Sequence, residues 1–305
     1  MLEPLALLTW NVRYFGHGTN GLFATDAHLE RAADALAALP HLPDVVALQE
    51  VETRSWRAGW NPRAQWARFA DAVHRALDRR NRAQSYEMLY YPAHRYATPF
   101  GAAYTTGLAF LVARNLRIVD HNADTPWEIT HRRVPWTRYF KQTRICAHVG
   151  VETPVGTRID VFNAHLSLPA FFTRRGPWYP GRMGHGENQL READSVLRCI
   201  DDRRRGEAVL VGDLNSAPGT PVYQHLLEQG GLRDVFAEHR ADASWATNGI
   251  LHLRMHLDHV FASENLDWVD FEGSHSFDDR GHFHGLSDHV PKLGRFLPGR
   301  RKAAG

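Results

Sequence analysis

The chain has 305 residues, of which 43% are hydrophobic and 23% charged, as in a soluble globular protein. A formal net charge of +2 is too small to argue by itself for a nucleic-acid partner, and no apolar run reaches the roughly 18 residues that a membrane-spanning helix needs. No basic region with a cleavage site marks a secretory signal, and Cys146 and Cys199 stand outside any metal-type spacing, so the sequence predicts a cytoplasmic protein without a disulfide framework.

Seven short apolar segments bounded by turn residues are predicted to be strands. In chain order they span residues 5–10, 44–49, 107–112, 158–165, 208–213, 256–262 and 289–296. Apolar residues at helical spacing predict helices at 25–39, 62–78, 187–204 and 221–228. Many strands and few helices indicate an α/β fold of two packed sheets with helices outside. We expect a single domain over residues 1–298 and a short basic tail at 299–305.

In four of these strands, the residues that share one face end in a polar side chain. The four rows are Leu5, Leu7, Thr9 and Asn11; Val46, Leu48 and Glu50; Ile159, Val161, Asn163 and His165; and Val209, Val211, Asp213 and Asn215. The polar group comes at the C-terminal end of each row. If the strands lie side by side, the terminal polar residues meet at one mouth of the sheet core. Polar residues that merely end unrelated strands would all fall on the apolar face only by chance.

Several carboxylates would then lie in one pocket: Glu50, Asp213, Asp258 and Asp288. Their mutual repulsion would raise some of their pKa values unless a cation intervened. Carboxylate and amide oxygens suit a hard divalent cation that keeps part of its water shell. Zinc is disfavoured because the sequence has no closed cluster of cysteine and histidine. Such an ion would polarise a phosphoryl oxygen during in-line displacement by water.

Two histidines complete the predicted constellation. Asp258 is expected to pair with His165 across the sheet core, and Asp288 directly precedes His289. A carboxylate raises the pKa of an imidazole, which fits it to donate a proton to a leaving oxygen or to bond a phosphate. The amide of Asn215 could hold the attacking water or a phosphate oxygen. The alternative is a set of chance surface pairs, since the chain has 19 histidines.

Six segments in this order resemble the endonuclease/exonuclease/phosphatase superfamily: TWNV, ALQEVE, FNAHLS, VGDLNSAP, LDHVFAS and GLSDHVP. They extend from Thr9 to Pro291. The resemblance implies a four-layer α/β/β/α sandwich, in which two packed mixed sheets are flanked by helices. It also implies a hydrolase of phosphoester bonds that depends on Mg²⁺ or Mn²⁺.

The resemblance also implies roles for individual residues in each motif. It implies that Asn11, Glu50 and Asp288 lie at the metal. Asp213 and Asn215 would handle the nucleophilic water, while His165 with Asp258 would serve the phosphate or leaving group. The remaining implied residues are His289, which Asp288 would orient, and Asn163, which would contact substrate.

Two departures narrow the resemblance. The branch of abasic-site endonucleases carries Asn-x-Asp in its first motif, whereas this chain has Arg13 at the third position. That branch also carries Tyr-x-Pro where this chain has Asn163, Ala164 and His165. The histidine version is similar to the branch that contains pancreatic-type deoxyribonucleases, neutral sphingomyelinases, deadenylases and inositol-polyphosphate phosphatases.

Two loops rich in arginine and aromatic residues, 130–142 and 169–186, are predicted to border the site. We expect Arg132, Arg133 and Arg138 of the first loop to bind substrate. Arginines with stacking rings suit a nucleic-acid strand, but also a lipid headgroup or a small phosphate ester. The alternative is that the aromatic residues only pack against one another and hold the loop in place, without a role in binding. The eight arginines between residues 54 and 82 are predicted to form only a solvated face.

The leading hypothesis is therefore a metal-dependent phosphodiesterase of nuclease type that cleaves DNA or RNA. Alternatives are a phospholipid or sphingomyelin phosphodiesterase, a small-molecule phosphatase of inositol type, and a catalytically silent family member that only binds. A phosphodiester substrate, with nucleic acid favoured, is the expected partner. Peripheral contact with a lipid surface stays open, and the sequence predicts no protein partner.

Overall fold

The computed structural model describes residues 4–131, 142–169, 172–173, 176–177, 180–235, 255–271 and 281–297. The strands in these ranges are β1 (Leu5–Asn11), β2 (Val45–Val51), β3 (Tyr86–Thr98), β4 (Gly101–Ala113), β5 (Arg117–His121), β6 (Trp127–Glu128), β7 (Ile145–Glu152), β8 (Arg158–His165), β9 (Phe172–Thr173), β10 (Gly176–Pro177), β11 (Glu207–Asp213), β12 (Leu232–Asp234), β13 (Asp258–Ser263), β14 (Asp267–Phe271) and β15 (Lys292–Leu297). The α-helices are α1 (Asp26–Ala37), α2 (Gln65–Arg79), α3 (Glu187–Arg203) and α4 (Pro221–Gly230). Short 3-10 turns lie at Arg13–Phe15, His17–Thr19 and Pro180–Arg182.

Local sequence explains where the helices begin and end. The Thr25 hydroxyl accepts a hydrogen bond from the backbone N–H of His28 at 3.2 Å and so caps the first turn of α1. Pro221 occupies the first turn of α4, where its missing N–H costs nothing. Gly231 ends the same helix with a left-handed φ of 56°.

Thirteen of the described strands form two mixed sheets, and β9 pairs with β10 in a separate two-stranded sheet. One has six strands in the order β14-β15-β1-β2-β4-β3. The other has seven, in the order β12-β13-β11-β8-β7-β5 with β6 paired to β7. The neighbours β1 and β2 run parallel, as do β11 and β8. Within each parallel pair, the carboxyl ends of the two strands lie together. These strand ends border the site described below.

Apolar side chains between the two sheets form the central core. Leu5, Leu7, Val45 and Ala47 come from the first sheet and pack against residues such as Val161 of the second. A second cluster joins the outer face of the first sheet to α1 and α2, and a third joins the outer face of the second sheet to α3 and α4. These three apolar layers confirm the predicted order of helix, sheet, sheet and helix.

All seven predicted strands and all four predicted helices are present, with bounds shifted by a few residues. The largest element that the prediction omits is β3. It is long, half exposed, and interrupted by Pro92 and charged residues. It lies at the edge of its sheet, where a proline is tolerated because one side of the strand needs no ladder partner.

The arginines of α2 form ion pairs across the outer surface with acidic residues of α1. Arg75 contacts Glu30, and Arg79 lies 3.0 Å from Asp34. Arg75 and Arg79 are exposed, which confirms the predicted solvated face for them. The prediction was wrong for Arg57 and Arg68, whose side chains are mostly buried. In a separate observation, the described residues include no helix that is both long enough and apolar enough to span a membrane.

Candidate active site

Three polar residues of the second sheet lie side by side at one end of neighbouring strands. In the register of β11, Asp213 is opposite His165 of β8 and opposite Asp258 of β13. All three side chains are buried. The convergence predicted from strand parity is therefore present for His165 and Asp213.

Asn11 joins the first sheet to this row. Its Nδ2 donates to Asp213 Oδ2 at 3.0 Å and lies 3.4 Å from Glu50 Oε1. Its Oδ1 accepts the backbone N–H of Arg13 at 2.9 Å. Because the residue is buried and bonded on both sides, the amide is held in one orientation between two carboxylates.

Glu50 reaches the site by a route that strand parity did not predict. Val46 and Leu48 face α1 and α2 on the outer side of the sheet, so the predicted row of Val46, Leu48 and Glu50 on the inner face was wrong. The pairing of β2 with β4 shifts register between Gln49 and Val51, and Glu50 has a left-handed φ of 59°. This bulge turns Glu50 back to the mouth of the site. A non-glycine residue in that region carries strain of about 1–3 kcal/mol, which the surrounding fold must offset.

His289 is held by Asp258. Its Nδ1 lies 2.7 Å from Asp258 Oδ2, and its Nε2 is 3.7 Å from Asp213 Oδ2. Its backbone carbonyl accepts a hydrogen bond from Trp10 Nε1 at 3.1 Å, and its N–H bonds the Ser287 hydroxyl at 3.2 Å. Both the ring and the backbone of His289 are therefore fixed.

Burial and charge act in opposite directions on His289. Burial alone lowers its pKa, but the carboxylates of Asp258, Asp213 and Asp288 outweigh that effect and raise the pKa to about 10. Burial, together with the charge of Asp258, raises the pKa of Asp213 to about 7, although His289, Asn11 and the N–H of Asn215 favour its ionised form. The cluster thus contains a charged imidazolium next to a carboxyl group that titrates near neutrality.

His165 has a different environment. Its Nδ1 lies 2.9 Å from Arg144 Nη1, and its Nε2 is 3.4 Å from Asp213 Oδ2 and 3.9 Å from Glu50 Oε1. A guanidinium can only donate, so Nδ1 accepts and the ring proton sits on Nε2. Burial, with the charges of Arg144 and His289, holds the pKa of His165 well below its usual value. The predicted pair of His165 with Asp258 was wrong, because Arg144 and Asp213 face the two ring nitrogens.

Asp288 does not orient His289, because Asp258 occupies that role. The Asp288 carboxylate instead forms an ion pair with Arg13 at 3.1 Å. Arg13 follows Asn11 in the chain and has a left-handed φ of 45°. The residue that distinguishes this chain from the abasic-site endonuclease pattern therefore neutralises a carboxylate at the edge of the site.

The turn after β11 fixes Asn215. Its backbone N–H donates to Asp213 Oδ1 at 3.1 Å, and its side-chain Nδ2 donates to the carbonyl of Leu166 at 2.9 Å. Gly212, with φ of 133°, passes so close to the carbonyl of Ala164 that any Cβ would collide with it. The close approach of β11 to β8 therefore requires glycine directly before Asp213.

Asn163 lies behind the site and links the two sheets. Its Oδ1 accepts from Gln49 Nε2 at 2.8 Å, and its Nδ2 donates to the carbonyl of Leu48 at 3.0 Å. Both amide side chains are fully buried. Gln49 was not predicted as a site residue, although a polar residue at the end of an inward-facing row is the same signal that identified Asn11.

Two further positioning residues come from α3. Glu192 accepts hydrogen bonds from the N–H and hydroxyl of Ser167 at 2.7 and 2.8 Å, and Gln189 donates to the carbonyl of Asn215 at 2.8 Å. They hold the loops that follow His165 and Asp213. Both are fully buried, so polar residues on the apolar face of α3 were the signal available in the sequence.

The donor set fits a hard divalent cation. One ligand atom each of Asp213, Asp258 and His289 lies within 4.8 Å of the others, and Glu50 adds a carboxylate whose side chain is 26% exposed. Burial, and after it the charge of Asp258, raises the pKa of Asp213, and a bound cation would favour the ionised carboxylate. The three arginines expected to bind substrate, Arg132, Arg133 and Arg138, lie outside the described residues.

Comparison with known proteins agrees with this architecture. Residues 8–289 match the model of the Endonuclease/Exonuclease/phosphatase family. A comparison with functionally curated proteins finds no match for the chain.

Solved structures with a similar fold come from distant relatives. An endonuclease/exonuclease/phosphatase from Beutenbergia cavernae is 21% identical, with a TM-score of 0.63 over 97% of this chain and 72% of that one. The human Nocturnin catalytic domain with bound sulfate is 15% identical, with a TM-score of 0.64 over 97% and 94%. The mannosyl-6-phosphatase Bt3783 of Bacteroides thetaiotaomicron is 15% identical, with a TM-score of 0.61 over 96% and 99%.

Proposed function

The chain belongs to the endonuclease/exonuclease/phosphatase family, and on that premise we propose that it is a divalent-metal-dependent phosphodiesterase of nuclease type. The observation that carries the proposal is the meeting of Asn11, Glu50, His165, Asp213 and His289 at one mouth between the two sheets. These side chains come from distant parts of the sequence. A structural core needs no such concentration of buried acids and imidazoles, because burying charge is costly.

We place the ion at Glu50 and Asn11, with Mg²⁺ or Mn²⁺ as the cation. Glu50 offers a carboxylate open to solvent. Asn11 lies next to it with its Nδ2 facing Glu50 and Asp213, so its Oδ1 would have to turn away from the N–H of Arg13 to reach the ion. Asp288, the third residue that the resemblance implies, has Arg13 as its partner at 3.1 Å, so it approaches the ion only if that pair opens. When bound, the cation polarises a phosphoryl oxygen and offsets the negative charge that develops there.

Asp213 acts as the general base for water in this proposal. Its pKa of about 7 keeps a useful fraction ionised near neutral pH while leaving it basic enough to accept a proton. Asn11 and the N–H of Asn215 fix its two oxygens. The water that it activates attacks phosphorus opposite the leaving oxygen.

The histidines stabilise the phosphoryl group in two ways. His289, charged and held by Asp258, donates from Nε2 to a phosphoryl oxygen as negative charge builds up. His165 stays neutral and presents its Nε2–H toward the same space. Asn163, which we expected to contact substrate, instead ties the two sheets together beneath these groups.

A phosphatase acting on a small ester is the second candidate. The mannosyl-6-phosphatase shares this fold over nearly the whole chain, and the bound sulfate of the Nocturnin domain is an anion of similar shape to phosphate. We favour a nucleic-acid substrate because of the arginine and aromatic residues in the predicted loops 130–142 and 169–186. A cytoplasmic location stays a prediction from the sequence.

The test is turnover of single-stranded DNA, duplex DNA, RNA, sphingomyelin vesicles, mannose 6-phosphate and bis-p-nitrophenyl phosphate with Mg²⁺, Mn²⁺ or chelator. We expect metal-dependent cleavage of an oligonucleotide. Asn11→Ala and Glu50→Ala should lower turnover about 10²-fold or more, while Glu30→Gln, on the outer face of α1, should not change it. Equal turnover in all three variants, or full activity in chelator, contradicts the proposal.

A further inference from the structure

Exposed apolar side chains are concentrated on one surface of the molecule. Among the described residues, eight large hydrophobic side chains are exposed. Six of them lie in three segments, and we call these six the aromatic surface: Leu22, Phe23, Trp56, Trp60, Tyr96 and Phe100. Scattered exposed hydrophobics are normal in proteins, but a contiguous group marks an interaction surface.

Backbone hydrogen bonds hold the three segments together. The N–H of Ala24 donates to the carbonyl of Arg57 at 2.7 Å. The N–H groups of Trp56 and Arg57 donate to the carbonyls of Ala102 and Ala103 at 3.0 and 3.1 Å. The loop before α1, the segment after β2 and the β3–β4 hairpin therefore form one continuous surface.

The rings of this surface are ordered by stacking. Tyr96 stacks on Tyr104 with ring centroids 5.4 Å apart and planes 5° from parallel. The Arg57 guanidinium lies over Tyr104 at 4.7 Å and over Tyr14 at 3.8 Å. A ladder of alternating rings and a guanidinium thus runs from the exposed hairpin toward the loop that follows Asn11.

A second ring pair lies on the segment after β2. Trp56 and Trp60 meet edge to face at 5.2 Å, and they are 53% and 65% exposed. This geometry leaves much of each indole open to solvent. Large flat rings in that state present faces on which a planar aromatic ligand can stack.

The charge of the three segments has one sign. Residues 13–24, 53–63 and 92–104 contain five arginines and no aspartate or glutamate. Arg13, Arg57 and Arg63 are paired with Asp288, Glu52 and Asp71, respectively, while Arg54 and Arg95 are exposed. The surface is therefore complementary to a polyanion that also carries flat apolar groups.

The aromatic surface adjoins the catalytic cluster through the chain itself. Segment 13–24 begins two residues after Asn11, and segment 53–63 begins three residues after Glu50. The carboxylate of Glu52, fully buried, anchors Arg57 and Ser55 at this junction. The chain therefore passes from the cluster directly into the aromatic surface, and Arg57 joins two of its segments by stacking on Tyr14.

We propose that the aromatic surface binds a stretch of single-stranded nucleic acid next to the phosphodiester that is cleaved, with bases stacked on Trp56 and Trp60 and phosphates near Arg54 and Arg95. The proposal rests on the proposed function and names its substrate class. Stacking rings interleaved with arginine are the pattern of sequence-tolerant binding to single strands. Aromatic side chains also suit a membrane interface. The stacked order of Tyr96, Tyr104 and the Arg57 guanidinium favours flat bases over lipid, and the vesicle measurement below tests that choice.

Binding is measured by fluorescence anisotropy of a labelled oligo-dT in chelator, which prevents cleavage. Trp56→Ala with Trp60→Ala should raise Kd about 10- to 100-fold, and Trp56→Phe with Trp60→Phe should restore most of the affinity. Val155→Ala removes an exposed apolar side chain from a distant hairpin and should not change Kd. Turnover of bis-p-nitrophenyl phosphate should be the same in all these variants, which also shows that they are folded.

Two failures can be told apart. If the wild-type protein binds oligo-dT through the tryptophans but cleaves no nucleic acid, the proposed function fails and the binding surface stands. If it cleaves oligonucleotides and the alanine variant binds them as tightly as wild type, the surface proposal is overturned. Tryptophan-dependent binding to phosphatidylserine vesicles without binding to oligo-dT also overturns it and assigns the surface to lipid.

Discussion

His165 and His289 approach the same oxygen, Asp213 Oδ2, at 3.4 and 3.7 Å, yet they lie in regions of opposite character. On the β8 side, Arg144 supplies a positive charge to His165. On the β13 side, Asp258 supplies a negative charge to His289. Both rings are buried, so burial lowers the pKa of each.

The difference shows that burial alone does not set the protonation state of a site. The pKa of His165 falls well below its usual value, because Arg144 adds to the effect of burial. The pKa of His289 rises to about 10, because the carboxylates around it outweigh burial. One imidazole is therefore a neutral donor and the other a fixed cation, and four substitutions test how each state arises.

Asp258→Asn should have the largest effect, because it leaves His289 without its closest carboxylate. We expect the pKa of His289 to fall and kcat/KM to drop about 10³-fold near neutral pH. The pKa is measured by NMR titration of the histidine side chains, and kcat/KM with the substrate identified in the panel above. Asp194→Asn, which removes the partner of the partly buried His225 at 2.7 Å, is the matched control and should leave turnover unchanged. An unaltered pKa of His289 in Asp258→Asn contradicts the account of the cluster.

The second test concerns folding stability of the metal-free protein. The folded-state pKa of His289, about 10, exceeds the usual value of about 6.5 expected when the chain is unfolded. Its contribution to stability is therefore complete below pH 6.5 and disappears as pH rises through 10. In chelator, wild type should exceed His289→Asn in free energy of unfolding by on the order of 3 kcal/mol at pH 6. This difference in free energy of unfolding should decrease toward pH 10, as measured by denaturant titration.

For His165→Asn, the difference in free energy of unfolding from wild type should change with pH in the opposite direction. Because the folded-state pKa of His165 is lowered, protonation in the unfolded chain penalises folding below pH 6.5. The advantage of wild type over His165→Asn should therefore decrease as pH falls. If the stability difference from wild type changed with pH in the same direction for both asparagine variants, the two histidines would not differ in protonation state as described.

Arg144→Gln should have the smallest effect. Glutamine keeps a donor near His165 Nδ1 but removes the charge, so the pKa of His165 should rise while burial still lowers it. We expect kcat/KM to fall about tenfold on the acid side of the pH profile, with little change at high pH. Arg144→Lys keeps the charge and should retain the wild-type acid limb. A loss of activity that does not depend on pH would indicate a structural role for Arg144 instead.

Much of the fold was predictable because its signals are local. Apolar runs bounded by turn residues identified β1, β8, β11 and β13, and helical spacing identified α1 to α4. The edge strand β3 escaped because exposure and Pro92 remove the apolar pattern on which the prediction depends. The family was also predictable, since six short motifs in order carry more information than any one of them.

Within the site, the alternation of side chains along the strands correctly placed Asn11, His165 and Asp213. For Glu50 it predicted the wrong face of β2, although the residue does reach the site. The rule assumes an unbroken period of two, and the bulge at Glu50, with φ of 59°, breaks that period at the mouth. The partners of the histidines were also mispredicted. Residues adjacent in sequence need not orient one another: Asp288 only adds to the charge near His289, whereas Asp258 reaches its ring from another strand.

The sequence by itself determined which segments become strands and helices, and which polar side chains lie at strand ends, because both depend on residue order within a few positions. The tertiary structure alone decided which charge each of those side chains meets. Pairings such as Arg144 with His165, Asp258 with His289 and Arg13 with Asp288 depend on strand order and on bulges. Electrostatic interactions act through distances in space, which the order of residues along the chain does not specify.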